Sequence, residues 1–151
     1  MVFIRNAEVC DIDAMIGLLE TLFAIETDFS FDSGRQRRGL SRMIGGCMKH
    51  KTIKVAETQG RVVGMASAQT VISTAEGGLA ALVEDVVVDA DFRGRGIGRR
   101  LVESLHGWAE NLGVTRFQAL VDTENRPALA FYRKNGWQPT RLACMRRLIG
   151  S

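Results

Sequence analysis

Cysteine and histidine are scarce in this chain. Its three cysteines, Cys10, Cys47 and Cys144, are odd in number and far apart, and only two histidines accompany them. No paired spacing suits a metal site or a redox couple, so no metal is expected and the thiols are expected to be free and buried. Long apolar runs are missing too: none approaches the length of a membrane span, and the N-terminus lacks a signal-peptide pattern. The expected location is therefore the cytoplasm, with no membrane partner. A net charge of only +3 permits attraction to anions without requiring nucleic acid. Repeats, low-complexity tracts and linkers are absent, and 151 residues at 46% hydrophobic content suit one core, so 1–151 reads as a single domain.

What the chain does have is glycine and arginine gathered in one place. Between Leu82 and Leu101 an apolar strand pattern carrying two acids, Glu84 and Asp85, runs through Val86, Val87 and Val88 into Arg93-Gly94-Arg95-Gly96-Ile97-Gly98 and then an amphipathic helix. Glycines without a Cβ let a ligand approach bare N–H groups, and the first-turn amides of the helix aim a positive dipole end at the same spot. This is a cradle for a phosphate or pyrophosphate. A P-loop is excluded, because Arg99 and Arg100 follow Gly98 where that loop needs lysine and a hydroxyl residue. A dinucleotide fingerprint follows the first strand of its unit with wider glycine spacing. A plain connecting loop leaves Arg93, Arg95, Arg99 and Arg100 unexplained.

Around this stretch the periodicities alternate between strand and helix. Val2 to Arg5 reads as a short strand, and Asp11 as the N-cap of a helix whose Ile12, Met15, Leu19, Leu22 and Phe23 share one face. An acidic, aromatic loop from Glu26 to Asp32 leads to a second helix, about Arg35 to Met48, whose arginines form a solvated face. Thr52 to Thr58 and Arg61 to Thr70 form a hairpin around Gln59-Gly60, and Leu79 to Val88 is expected to be the central strand. The helix Ile97 to Leu112, with Trp108 in the core, connects to a parallel strand at Val114 to Val121. Pro127 fits a helix first turn, and Arg141 to Ile149 is expected to close the sheet.

Arg93-x-x-Gly96-x-Gly98 after an apolar strand resembles the coenzyme A pyrophosphate loop of the GCN5-related N-acetyltransferase (GNAT) superfamily. Asn125-x-x-Ala128-x-x-Phe131-Tyr132-x-x-x-Gly136-Trp137 is similar to that family's other cofactor-side motif. Together they cover about a third of the chain in the right order. The resemblance implies an α/β GNAT fold: a mixed, mostly antiparallel twisted sheet of six to seven strands, about four helices on both faces, and the fourth and fifth strands parallel and splayed. It implies transfer of the acetyl group of acetyl-CoA to a primary amine by direct attack in a ternary complex. Val83-Glu84-Asp85 ahead of the loop resembles the diamine (spermidine/spermine-type) acetyltransferases, where such acids also hold the cationic acceptor.

That reaction has three needs. An alkylamine of pKa about 10.4 must lose a proton before it attacks, and Glu84 or Asp85 is the candidate base, with Glu84 favoured and a water relay also compatible. An oxyanion needs a preorganised donor, which the implied bulge supplies from the backbone of Val86 to Val88 while also binding the pantetheine arm. The departing thiol needs a proton, and Tyr132, the chain's only tyrosine, can give it. Gly94, Arg95, Gly96, Ile97 and Gly98 are expected to line the pyrophosphate with Arg93, Arg99 and Arg100. Asn125 and Ala128 would hold the pantetheine, and Arg133 or Lys134 would meet the 3′-phosphate. Glu26, Asp28, Phe29 and Glu84 are the expected acceptor contacts. The family's C-terminal edge strands imply a homodimer. A protein or peptide acceptor, or an acetyl-CoA-binding module without catalysis, are the alternative readings.

Overall fold

The computed structural model of the chain describes residues 1–150, which cluster into two compact units, Met1–Ala119 and a second that begins at Leu120. In the first unit, strands rich in Val, Ile, Ala and Met build a sheet in the order β1-β2-β3-β4-β5. These are β1 (Phe3–Asn6), β2 (Lys51–Thr58), β3 (Arg61–Ser73), β4 (Gly78–Val88) and β5 (Arg116–Ala119). Gln59 and Gly60 join β2 to β3 with φ of 51° and 72°, the paired left-handed geometry that matches strand twist in a two-residue hairpin. Consecutive antiparallel pairings make β3, not β4, the middle strand, because each strand from β1 to β4 folds back on its predecessor. The parallel pair β4·β5 runs from Ala80↔Arg116 to Val83↔Ala119 and stops there, leaving Glu84–Val88 beyond the pairing. The expected parallel pairing of the fourth and fifth strands is present.

The sheet has five strands among the described residues, where six to seven were expected. Residues 141–149 form no strand. Adjacent Arg146 and Arg147 break their period-two pattern, and Leu142, Met145, Leu148 and Ile149 stay 75–96% exposed. The thiols also depart from expectation: Cys10, Cys47 and Cys144 are free but exposed, lying outside the buried faces of the elements.

Helices cover both faces of the sheet. Helix α1 (Ile12–Ile25) and α2 (Ser33–Ile44) pack their apolar stripes, Met15, Leu19, Leu22 and Leu40 among them, on Ile53, Val55, Met65 and Val87. Gly64, next to Met65, points to the opposite face. A Cβ there would stand 3.2 Å from Leu101 Cδ1 and 3.3 Å from the Val87 carbonyl, so the close approach of α3 (Ile97–Asn111) favours glycine. Helix α3 buries Ile97, Leu101, Leu105 and Ala109, while Trp108 is only half-buried at the rim of that stripe. Helix α2 starts at Ser33 because Asp32 accepts the Arg35 N–H at 3.0 Å, and it ends at Ile44, ahead of Gly45 and Gly46, rather than at Met48.

Asp11 stands at the N-cap of α1, but its carboxylate is engaged elsewhere. Arg5 grips it with two bonds, 2.7 and 3.0 Å, and the Glu8 N–H donates to it at 2.7 Å. Arg5 also reaches Glu57 at 2.9 Å, tying β1, β2 and the start of α1 together. In the second unit, α4 (Arg126–Lys134) opens with Pro127 in its first turn and Asn125 capping the Ala128 N–H at 3.2 Å. Its end is a left-handed Gly136, φ 89°, after which the Trp137 N–H returns to the Tyr132 carbonyl at 2.9 Å. No helix among the described residues is long and apolar enough to cross a membrane.

Candidate active site

The site begins with an irregularity in β4. Met65 pairs with Val87 and Ser67 with Glu84, so Asp85 and Val86 together oppose the single residue Ala66. This is a β-bulge, and Asp85 carries it with φ of 54°. Asp85 and Gln59 are the non-glycine residues with positive φ among the described residues, and Gln59 sits in a turn. A left-handed aspartate inside a strand costs about 1–3 kcal/mol, less for Asp than for a branched residue because its short carboxylate tolerates that region. Ser67 compensates in part, donating its hydroxyl to the Glu84 carbonyl at 3.0 Å.

The bulge sets two neighbouring acids in different surroundings. Glu84 is exposed, whereas the Asp85 carboxyl is drawn out of water and pushed up to about 7. Burial is the main cause, followed by the negative fields of Glu84 and then Glu26. Glu26 ends α1, so the acidic loop and the bulged strand present their carboxyls to one region. Farther along that loop, Phe29 packs on Phe23 of α1 with ring centroids 5.5 Å apart and stays about half exposed, and Asp28 is exposed.

Downstream of β4 the expected cradle is present in shape. Gly94 and Gly96 take φ of 76° and 78°, and Gly96 is the N-cap of α3 with no side chain to cap the helix. The first intrahelical bond runs from the Arg100 N–H to the Gly96 carbonyl at 3.1 Å, so the amides of Ile97, Gly98 and Arg99 stand ahead of the ladder as helix-end donors. Bare helix-end donors, a positive helix end and glycines without a Cβ are features that suit an anion. The arginines are not equivalent. Arg93 Nε donates to the Val88 carbonyl at 3.0 Å, Arg95 lies against Phe92 and donates to the Asp91 carbonyl at 3.3 Å, and Arg99 pairs with Glu103 at 2.9 Å.

The second unit carries the other motif. The half-buried Asn125 is a helix cap through its Oδ1, with Ala128 as the donor it satisfies. Tyr132 is half-buried between aromatic neighbours, 5.3 Å from Phe131 and 5.1 Å from Trp137, both edge-on. Lys134 and Arg133 are exposed in the last turn, where cations complement the helix dipole. Three residues near the bulge and loop are not among those the sequence pattern singles out: Ser67, Arg61 and Phe92. Ser67 has a signal, a hydroxyl interrupting the apolar run of β3, but Arg61 and Phe92 have none.

The family model described as acetyltransferase (GNAT) family matches residues 18–137. An uncharacterized N-acetyltransferase of Methanocaldococcus jannaschii is 34% identical over 85 residues, 56% of this chain and 38% of that protein. A glucosamine 6-phosphate N-acetyltransferase of Trypanosoma brucei brucei is 35% identical over 80 residues, 52% of each. The match therefore spans about half or less of these curated relatives. The crystal structure of a predicted acetyltransferase with acetyl-CoA from Clostridium acetobutylicum superposes with a TM-score of 0.79 at 17% identity, covering 99% of this chain and 97% of the other, a likeness of fold.

Proposed function

Because this chain belongs to the acetyltransferase (GNAT) family, we propose that it moves the acetyl group of acetyl-CoA to a primary amine of a small cationic acceptor. The observation that carries the reading is the order of features along the chain: a strand bulged at Asp85 beside Glu84, then, past the turn after Val88, an uncapped helix end behind two left-handed glycines.

Acetyl-CoA brings an acyl group already activated as a thioester. The residues that would hold it are the amides of Ile97, Gly98 and Arg99, the turn of Gly94, Arg95 and Gly96, the cations Arg93 and Arg99, and the backbone of Val86, Val87 and Val88. Within the second unit, Asn125, Ala128, Tyr132 and Lys134 are the proposed cofactor contacts. Asp85, rather than the exposed Glu84, is the proposed base. A carboxyl near 7 is largely ionised at slightly alkaline pH and is a better match to an ammonium of pKa about 10.4 than an ordinary carboxylate near 4. Glu84 and Glu26, with Asp28, concentrate cationic acceptors around it, and Phe29 offers an apolar surface. Tyr132 is the proposed donor of the proton that the departing sulfur takes up.

The acceptor's charge is argued from the carboxyls. Glu26, Glu84 and Asp85 repel anions and favour a polyamine or another amine bearing extra positive charge. The Trypanosoma relative is named for an amino-sugar phosphate, which supports a small-molecule amine in general terms. A thiol-release assay over polyamines, amino sugars, aminoglycosides and lysine peptides tests this: the highest kcat/KM is expected for a polyamine. Tight acetyl-CoA binding without thiol release for any amine would instead mark a binding module. Tyr132→Phe is expected to lower kcat about 10²-fold with acetyl-CoA affinity unchanged, and an unchanged rate would remove Tyr132 from the acid role.

The same proposal extends to a homodimer. Leu142, Met145, Leu148 and Ile149 expose an apolar stretch in a segment without strand partners, which a second copy can cover. Sedimentation is expected to give a dimer, and truncation after Arg141 a monomer.

A further inference from the structure

Arg61 lies outside both cofactor motifs, at the start of β3, yet it meets the cofactor loop twice. Its guanidinium bonds Asp89 Oδ2 at 2.9 Å and stands over the Phe92 ring at 5.7 Å. Asp89 is the pivot between sheet and loop. Its N–H reaches the Val63 carbonyl at 2.8 Å, its carbonyl accepts the Phe92 N–H at 2.9 Å, and its Oδ1 accepts the Asp91 N–H at 2.9 Å. Arg95 also lies over this ring, 5.1 Å from its centroid. The chain from Asp89 to Arg95 is therefore fastened by side chains up to the glycine that caps α3.

This fastening bears on the glycine turn next to it. Gly94 and Gly96 have the widest conformational freedom of any residue type, and a loop that must gather its amides on an anion pays for ordering them at binding. A guanidinium that holds Asp89 and Phe92 beforehand removes part of that cost. The ion pair is exposed on the arginine side, 61% for Arg61 against 24% for Asp89, and exposed pairs add little to folding stability. Its contribution falls on the loop rather than on the fold.

Resting on the acetyl-CoA reading of the loop, we propose that Arg61, with Phe92 as its platform, is a positioning residue: it holds the Arg93–Gly98 turn in the shape that binds the pyrophosphate, without touching the cofactor itself. The test is isothermal titration of acetyl-CoA and steady-state kinetics on the full chain, for the wild type, Arg61→Ala, Arg61→Lys, Phe92→Leu and Asp89→Asn. Arg61→Ala and Phe92→Leu are each expected to weaken acetyl-CoA binding about three- to tenfold and raise its KM alike, with kcat within about twofold and Tm nearly unchanged. Arg61→Lys keeps the charge toward Asp89 but loses the planar stack, so partial rescue is expected. Asp89→Asn, which keeps the bond to the Asp91 N–H but removes the charge that holds Arg61, is expected to weaken acetyl-CoA binding by a similar factor. Binding that is unchanged or tighter in Asp89→Asn while it is lost in Arg61→Ala would mean that the guanidinium meets a phosphate directly and would overturn the positioning role. Unchanged affinity in Arg61→Ala beside a wild type that binds would also overturn it. Absence of acetyl-CoA binding by the wild type would instead strike the functional reading on which it rests.

Discussion

Asp11 and Asp85 belong to the same unit, both partly or wholly withdrawn from water, and their surroundings drive them in opposite directions. Asp11 is held below the usual carboxylate range, first by its hydrogen bonds from Arg5. Asp85 is pushed up to about 7, first by burial and then by Glu84 and Glu26. One carboxyl is withdrawn with its counter-charge and ties three elements together. The other is withdrawn beside like charges in a strained backbone, an arrangement that weakens the fold and makes sense where a carboxyl must exchange protons near neutrality. The contrast separates a structural acid from a chemical one.

The largest expected effect breaks the chemical side. Asp85→Asn should lower kcat/KM about 10³-fold at slightly alkaline pH while leaving acetyl-CoA affinity intact by calorimetry; a variant as active as the wild type would return the base role to Glu84 or to water. Next comes the structural side. Asp11→Ala removes two of the Arg5 guanidinium's bonds while Glu57 remains, and should cost about 2 kcal/mol in urea unfolding, with a shifted midpoint and an unchanged slope.

Thermal scans against pH sharpen the comparison through the sign of each linkage. Asp85 rises from 3.8 in the unfolded chain to about 7 in the folded one, so its contribution to stability is greatest below 3.8 and is lost as pH rises toward and through 7. Asp85→Asn removes that decline, and its Tm should exceed the wild-type value by a margin that grows from acid to alkaline pH. Asp11 is lowered from 3.8, so its contribution is present above 3.8 and disappears as pH falls through its depressed folded value. The margin between wild type and Asp11→Ala should therefore shrink only in strong acid. The smallest effect is expected at the exposed Arg99–Glu103 pair, where Glu103→Ala should change stability by less than about 0.5 kcal/mol.

Much of the fold is legible in the sequence because its signals are local. The apolar spacing of α1, the Gln59-Gly60 turn, the glycines before α3 and the Asn125 cap each act through neighbours a few residues away. The number of strands is not, because a strand exists only when a distant partner accepts its ladder, and residues 141–149 find none within the described chain. The balance between Glu84 and Asp85 is equally hidden. Adjacent strand residues alternate by default, and only the bulge opposite Ala66, visible in the pairing register, gives Asp85 its withdrawn position. The place of Asp11 before α1 suggests an N-cap, yet Arg5, six residues earlier in β1, claims its oxygens and itself reaches across to Glu57. Arg61 and Asp89 lie 28 residues apart, beyond the reach of any local pattern.

The most direct measurement is the pH dependence of kcat/KM for acetyl transfer from acetyl-CoA to a polyamine, from about pH 5 to about pH 9, in the wild type and in Asp85→Asn. The wild-type profile should bend near pH 7, where the Asp85 carboxyl titrates, and that bend should be missing from the variant. Profiles that pass through neutrality without a bend, or that bend alike in both proteins, would contradict the role given to Asp85.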